Sequence, residues 1–117
     1  MSSQIAWNVE FAVKPGQIGR FRELTGEMVE FTRTEPDVLC YERYVSEDGK
    51  LVHVLERYAD SVAALSHLMN FRAKFADRFS RLVDRRRFTV YGAPSVELRA
   101  MLDGFGAVYF SVLSRIG

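Results

Sequence analysis

The chain lacks the features that mark secreted, disulfide-bonded and membrane-spanning proteins. Its 117 residues include one cysteine, Cys40, so no disulfide can form within the chain and a reducing compartment is expected. No uninterrupted apolar run approaches the roughly 20 residues of a membrane-spanning helix. Residues 1–4 lack the basic and then apolar pattern of a secretion signal. We therefore expect a cytoplasmic protein with no membrane partner.

Excess charge and metal-binding spacing are also absent. The 16 basic and 15 acidic residues give a formal net charge of +1, so no global field indicates a nucleic-acid partner. The two histidines, His53 and His67, lie far from further ligands in sequence, and no metal is predicted. Cys40 has no obvious activating neighbour and is interpreted as a buried, unreactive thiol.

The composition is that of a globular protein. Hydrophobic residues make up 48% of the chain and charged residues 26%, and 117 residues suffice for one hydrophobic core. We predict a single domain over residues 1–117, with a core at about 4–92 and a C-terminal extension at about 93–117.

Hydrophobic periodicity predicts the first half of the fold. Apolar residues alternate along residues 5–13, which indicates a strand with one fully apolar face. Apolar spacings of three or four along residues 18–31 predict an amphipathic helix that ends before Pro36. Residues 38–47 and 50–58 are rich in Val, Leu and Tyr and are expected to form a hairpin.

The second half repeats the helix and strand order. Asp60 or Ser61 can cap a long helix, in which Asn70 marks a candidate interruption. Residues 87–91 predict a fourth strand, and the three arginines at 85–87 are interpreted as a solvated helix end. The extension predicts a short helix from near Ser95 to Asp103, followed by a strand at about 108–113.

The element order β-α-β-β-α-β predicts a ferredoxin-like α+β fold with an antiparallel sheet. Apolar side chains point to both sheet faces, as Leu51 and Leu55 do on one side and Val52 and Val54 on the other. Because two helices cover one face alone, we expect a homodimer in which a second copy covers the other. The C-terminal strand is a candidate for crossing to that partner.

Three separated segments of the chain resemble the antibiotic biosynthesis monooxygenase family, over roughly residues 4–92. They are strand one with residues 14–17 (KPGQ), residues 35–42 (EPDVLCYE), and residues 56–68, which contain ERYAD, Ala63 and the His67-Leu68 pair. Tyr58 replaces the family's more usual tryptophan. The resemblance implies a dimeric α+β barrel without a cofactor that oxygenates small aromatic, phenolic or quinol-type substrates, with O2 as the candidate co-substrate.

One branch of that family degrades haem, and its residues are not matched here. The positions of its Asn, Trp and His are taken by Val9, His67 and Asp77, so haem degradation is disfavoured. A non-catalytic ligand-binding or stress-related dimer of the same fold remains the alternative. RNA binding is disfavoured because residues 50–56 are aliphatic, where RNA-recognition domains carry stacking aromatics.

Cofactor-free oxygenation needs a base that removes a substrate proton inside an apolar pocket. His67, expected at the border of the second helix's apolar stripe, and His53, expected to be buried in strand three either under the helices or in the dimer, are the candidate catalytic bases. Each also has a structural interpretation, as a hydrogen-bonded core or boundary histidine. The candidate substrate-binding residues, which packing or surface contacts could equally explain, are Asn8, Glu10, Tyr41, Tyr58, Phe71, Phe75 and Tyr91.

Overall fold

The computed structural model describes residues 3–116, which form five strands and four helices. In chain order these are β1 (Ile5–Val13), α1 (Ile18–Thr32), β2 (Val38–Val45), β3 (Leu51–Tyr58), α2 (Ser61–Lys74), α3 (Ala76–Ser80), β4 (Val83–Tyr91), α4 (Val96–Asp103) and β5 (Val108–Phe110).

The strands form one open sheet in the order β2-β3-β1-β4-β5. The first four strands pair antiparallel, and β5 adds to the edge of β4 in a parallel arrangement within the same chain. The ferredoxin-like α+β prediction is confirmed, and the sheet of this chain is not a closed barrel. We call the side of the sheet that the helices cover the inner face and the opposite side the outer face.

The inner face carries the hydrophobic core. The alternation predicted for residues 5–13 is confirmed, since Ile5, Trp7, Val9 and Phe11 are buried on one side of β1. Val52 and Val54 of β3 lie beneath the helices, and Leu51 is exposed on the outer face.

The second helical region differs from its prediction. Asp60 is the cap, and its carboxylate accepts a hydrogen bond of 2.9 Å from the backbone N–H of Ala63. The helix is interrupted at Phe75 rather than at Asn70, and a short helix, α3, follows. The chain then turns at residues 81–82, so β4 begins at Val83.

The interpretation of the arginine run as a helix end is therefore wrong. Arg85, Arg86 and Arg87 lie inside β4, which pairs with β1 along its length. Residues 84–87 are polar but belong to the strand, because hydrogen bonding to β1 compensates for their low hydrophobicity.

The C-terminal extension packs on the core as a helix and an edge strand. Ser95 caps α4 by accepting a hydrogen bond from the backbone N–H of Leu98, and Leu98 and Leu102 are fully buried. β5 is shorter than the predicted strand and ends at Phe110. Over residues 3–116, no helix combines the length and apolar character that crossing a bilayer requires.

Candidate active site

An ion pair is buried where β2 and β3 lie side by side on the inner face. Arg43 Nη2 donates a hydrogen bond of 2.6 Å to Glu56 Oε2, and the two side chains are only 10% and 6% exposed. Trp7 Nε1 donates to the other oxygen, Glu56 Oε1, at 2.9 Å, and the hydroxyl of Tyr58 donates to that same oxygen. Three strands therefore hold this carboxylate in one orientation.

The surroundings of Glu56 keep it ionised. Burial acts to raise the pKa of Glu56, but the charge of Arg43, the charge of His67 when its ring is protonated, and the hydrogen bonds from Tyr58 and Arg43 outweigh burial and hold the pKa below its ordinary value. An anionic carboxylate thus persists at the edge of an apolar core.

His67 lies between this carboxylate and a second one. Its Nδ1 is 2.8 Å from Glu35 Oε1, and its Nε2 is 3.5 Å from Glu56 Oε1. Asn70, one helical turn along α2, donates 2.9 Å from its Nδ2 to Glu35 Oε2. Glu35 belongs to the loop between α1 and β2, so α2 and that loop together fix the imidazole ring.

The contact with Glu35 determines which nitrogen of His67 is available. An ionised carboxylate accepts hydrogen bonds only, so Nδ1 is the donor and the lone pair of a neutral ring lies on Nε2. Among residues 3–116 no hydrogen bond engages Nε2. A proton taken up there would be stabilised by Glu56 at 3.5 Å.

Two tyrosines flank the histidine ring. The ring centroids of Tyr41 and Tyr58 lie 5.4 and 5.3 Å from that of His67. Burial raises the pKa of Tyr41 to about 12, and burial followed by the charge of Glu56 raises the pKa of Tyr58 well above its ordinary value. Both phenols stay protonated near neutral pH and can act only as neutral groups there.

The guanidinium of Arg43 also packs against an aromatic ring. Its Cζ lies 3.4 Å from the centroid of Tyr41. Its Nη1 is the one buried side-chain polar atom of residues 3–116 that has no hydrogen-bond partner. Arg43 is therefore held by one carboxylate and one ring face.

A cavity of about 470 Å³ adjoins this network, between the inner face and the helices. Arg43, Glu56 and His67 form one polar part of its wall. Most of the remaining lining residues are apolar, and the aromatic ones are Trp7, Phe11, Phe71, Phe79, Phe88 and Phe105. Such a volume and lining suit a small aromatic ligand.

Some of the predicted site residues meet at this cavity. His67 and Phe71 line it, and Tyr41 and Tyr58 contact the His67 ring. His67 was expected at the border with solvent but is buried, with 5% of its surface exposed, because Glu35 and the tyrosines enclose it. Phe75 is buried in the core, where its ring packs edge-on against Phe31.

The other predicted residues lie on the outer face. His53 does not lie under the helices, which was one of its two expected positions: its side chain is 50% exposed on the outer face, and its Nε2 lies 3.3 Å from Glu10 Oε1. Alternation along β3 puts His53 on the side opposite Val52 and Val54. Asn8, which the pairing register places on this face, is half-buried, and the outer-face Tyr91 is exposed.

Sequence reasoning missed the charged residues of the network, Glu35, Arg43 and Glu56. A signal existed for Glu56, because it shares the parity of Val52, Val54 and Tyr58 in β3 and so had to face the core. Arg43 was hidden by a bulge between Val38 and Cys40, which breaks the alternation of β2.

The site contains acid–base and aromatic groups. Over residues 3–116 no group of three or more His, Cys, Asp or Glu side chains could hold a metal ion. The fold and the site together define a ferredoxin-like α+β protein with an oriented histidine on the wall of an aromatic cavity.

Sequence comparisons identify the family. The sequence model of the antibiotic biosynthesis monooxygenase family matches residues 5–74, which is more than half of the chain. Rv0793 of Mycobacterium tuberculosis, a candidate monooxygenase, is 30% identical over an aligned length of 88 residues, and the alignment covers 71% of this chain and 87% of that protein. The chain belongs to the antibiotic biosynthesis monooxygenase family.

Solved structures share the fold. MupZ from Pseudomonas fluorescens is similar over 99% of this chain and 95% of its own, with a TM-score of 0.89 and 22% identity. SnoaB, a cofactor-independent oxygenase from Streptomyces nogalater, is similar over 81% of this chain and 97% of its own, with a TM-score of 0.68 and 14% identity. The first similarity extends through the C-terminal helix and strand.

Proposed function

We propose that this protein is a cofactor-independent monooxygenase that acts on a small aromatic, phenolic or quinol-type substrate, with His67 as the base. The observation that supports the proposal most directly is the geometry of His67. Its Nδ1 is engaged by Glu35, its Nε2 makes no hydrogen bond among residues 3–116, and its ring forms part of an aromatic cavity wall.

The proposed chemistry uses groups already in place. His67 Nε2 takes a proton from the substrate, and the resulting imidazolium is stabilised by the Glu56 carboxylate at 3.5 Å. The electron-rich substrate anion then supplies electrons to O2. In balance, a substrate carbon bearing two hydrogens and one O2 yield a carbonyl group and water. The apolar wall excludes bulk water from the anion.

Family membership and the candidate monooxygenase Rv0793 support this reaction class. SnoaB shows the fold in a protein described as needing no cofactor. For the present protein we propose a reducing cytoplasm as the compartment, because its one thiol, Cys40, is unpaired. Burial and the neighbouring Glu42 raise the pKa of Cys40, which disfavours the reactive thiolate.

The alternative, a non-catalytic ligand-binding or stress-related dimer, is favoured by a different feature of the same site. Glu35 and Glu56 are satisfied by internal partners, as a purely structural network would be. In that case the cavity binds a ligand without turning it over.

Oxygen uptake with a panel of anthrones and hydroquinones tests the proposal. Wild-type protein should exceed the uncatalysed rate, and His67→Gln should lower kcat by about 100-fold or more, because loss of a positioned base typically costs that much. Ser66→Ala, an exposed change beside it on α2, should leave the rate unchanged.

Other outcomes contradict the proposal. If wild type and His67→Gln oxidise no member of the panel faster than buffer while the cavity still binds a member, the ligand-binding alternative is supported. If activity is lost with His53→Gln but not with His67→Gln, the base lies on the outer face instead.

A further inference from the structure

The end of the cavity away from His67 carries charged groups that the proposed reaction does not use. Arg85 belongs to the cavity wall and pairs in register with Phe11 of β1, whereas Glu56 pairs with Trp7. The Trp7–Glu56 pair and the Phe11–Arg85 pair define two rows across the sheet. They are four residues apart along β1, which is about 13 Å at ~3.3 Å per residue. The cavity therefore has two polar ends joined by an aromatic wall.

A β-bulge turns Arg85 toward the cavity. Strict alternation from the buried Phe88 would put Arg86 on the inner face and Arg85 on the outer face. The register of β1 and β4 shifts between Glu10 and Phe11, so that Arg85 instead lies opposite the buried Phe11. Bulges often redirect a side chain next to a functional site.

The guanidinium of Arg85 is positioned but not neutralised. Its Cζ lies 5.3 Å from the ring centroid of Phe105, and that ring stacks on Phe88 at 5.7 Å with an interplanar angle of 5°. Within residues 3–116 Arg85 forms no hydrogen bond or salt bridge. Asp84, which also lines this end of the cavity, has its carboxylate 4.0 Å from Lys14 Nζ. A cation held on an aromatic stack at a cavity wall is available to an anionic ligand.

We propose that Arg85 binds a carboxylate of the ligand and so determines which end of the ligand reaches His67. The planar guanidinium can donate two parallel hydrogen bonds to a carboxylate. The ligand class is then an aromatic hydroxy acid, with its ionisable hydroxyl and its carboxylate at opposite ends, about 10 Å apart, to fit between the two rows. The assignment of the hydroxyl end to His67 rests on the proposed function.

Equilibrium binding measured without turnover tests this specificity. The probes are 6-hydroxy-2-naphthoate and 2-naphthol, which differ by the carboxylate alone and are followed by their fluorescence. Wild type should bind the carboxylate probe about tenfold more tightly, and added salt should reduce that preference. Arg85→Gln should abolish the preference and leave the affinity for 2-naphthol within about twofold of wild type.

Arg86→Gln is the matched control, because it removes a neighbouring β4 cation that is not among the cavity-lining residues. It should keep the preference. Equal affinity of wild type for the two probes, no binding of either probe, or equal effects of Arg85→Gln and Arg86→Gln would overturn the proposal. Oxygen uptake is measured separately, so a carboxylate preference without turnover would leave the Arg85 assignment intact and reject only the monooxygenase.

Discussion

Glu56 stays ionised inside the protein because the charge of Arg43, the hydrogen bonds from Arg43 and Tyr58, and the charge of His67 when its ring is protonated outweigh the effect of burial. A depressed pKa in the folded state means that the stabilisation is present above the ordinary carboxyl pKa, about 4.3, and is lost as pH falls through the lower folded value. We expect Glu56→Gln to lower the free energy of unfolding by about 3 kcal/mol at pH 7, because it leaves Arg43 without its counter-ion. The difference from wild type should shrink as pH falls below about 4. Urea unfolding across this pH range measures it.

An exposed ion pair provides the control for that experiment. Glu27 accepts two hydrogen bonds from Arg78, at 3.0 and 3.1 Å, but both side chains are about half exposed. Solvent screens such a pair, so Glu27→Gln should change stability by less than about 1 kcal/mol. The outcome for Glu56 is read from the free energy of unfolding. If wild type and Glu56→Gln differ in it by the same amount from pH 7 to pH 3, Glu56 is not ionised in the folded protein.

The connection from β4 to α4 depends on a backbone conformation that favours glycine. Gly92 has φ of 112°, and its backbone N–H donates 3.0 Å to the carbonyl oxygen of Phe110 in β5. A Cβ at this position would lie 2.8 Å from the carbonyl oxygen of Gln4. We expect Gly92→Ala to cost more than about 2 kcal/mol of stability, since it adds a steric clash to an unfavourable φ. Thermal or urea unfolding measures the loss.

Gly106 is the control that separates the cost of the steric clash from the cost of the positive φ. Its φ is 75°, but a Cβ there would meet nothing within 4 Å. Gly106→Ala should therefore show the conformational cost alone, about 1 kcal/mol. Equal losses for the two variants would show that the approach to Gln4 relaxes without cost.

At the scale of the whole molecule, no helix among residues 3–116 covers the outer face of the sheet. Tyr44, Leu51, Tyr91 and Phe110 expose 37–56% of their surface there. Glu10 and Arg57 add both signs of charge, which a second copy related by two-fold symmetry could pair. We therefore expect a homodimer with a mass of twice 13.4 kDa by light scattering at micromolar concentration. Leu51→Glu should shift the mass toward one chain, because it places a charge in the expected interface.

Val62→Glu is the control for the dimer, because Val62 is 77% exposed on α2, at the opposite side of the molecule. It should leave the mass unchanged. A wild-type mass of one chain at micromolar concentration would reject the dimer, and the cavity would then have to function within a single protomer.

The sequence by itself determined the elements whose pattern is local. The alternation of residues 5–13 predicts β1 with the bounds that the structure shows, because the period of a strand depends on nothing beyond the strand. The caps at Asp60 and Ser95 are equally local, since each side chain bonds a backbone N–H three residues away. The order of these elements was enough to predict the ferredoxin-like fold.

Tertiary structure alone decided the site. Glu35 and His67 are 32 residues apart, and their contact depends on how α2 packs beside the loop before β2. The position of Arg85 on the inner face of the sheet, where its side chain is exposed at the cavity wall, depends on a bulge that exists only because β4 pairs with β1. Where strand pairing is regular, the face on which a side chain lies can be read from the sequence of its own strand. Where the register shifts, or where a buried charge needs a partner, the orientation depends on neighbouring strands and packed helices that the local sequence does not specify.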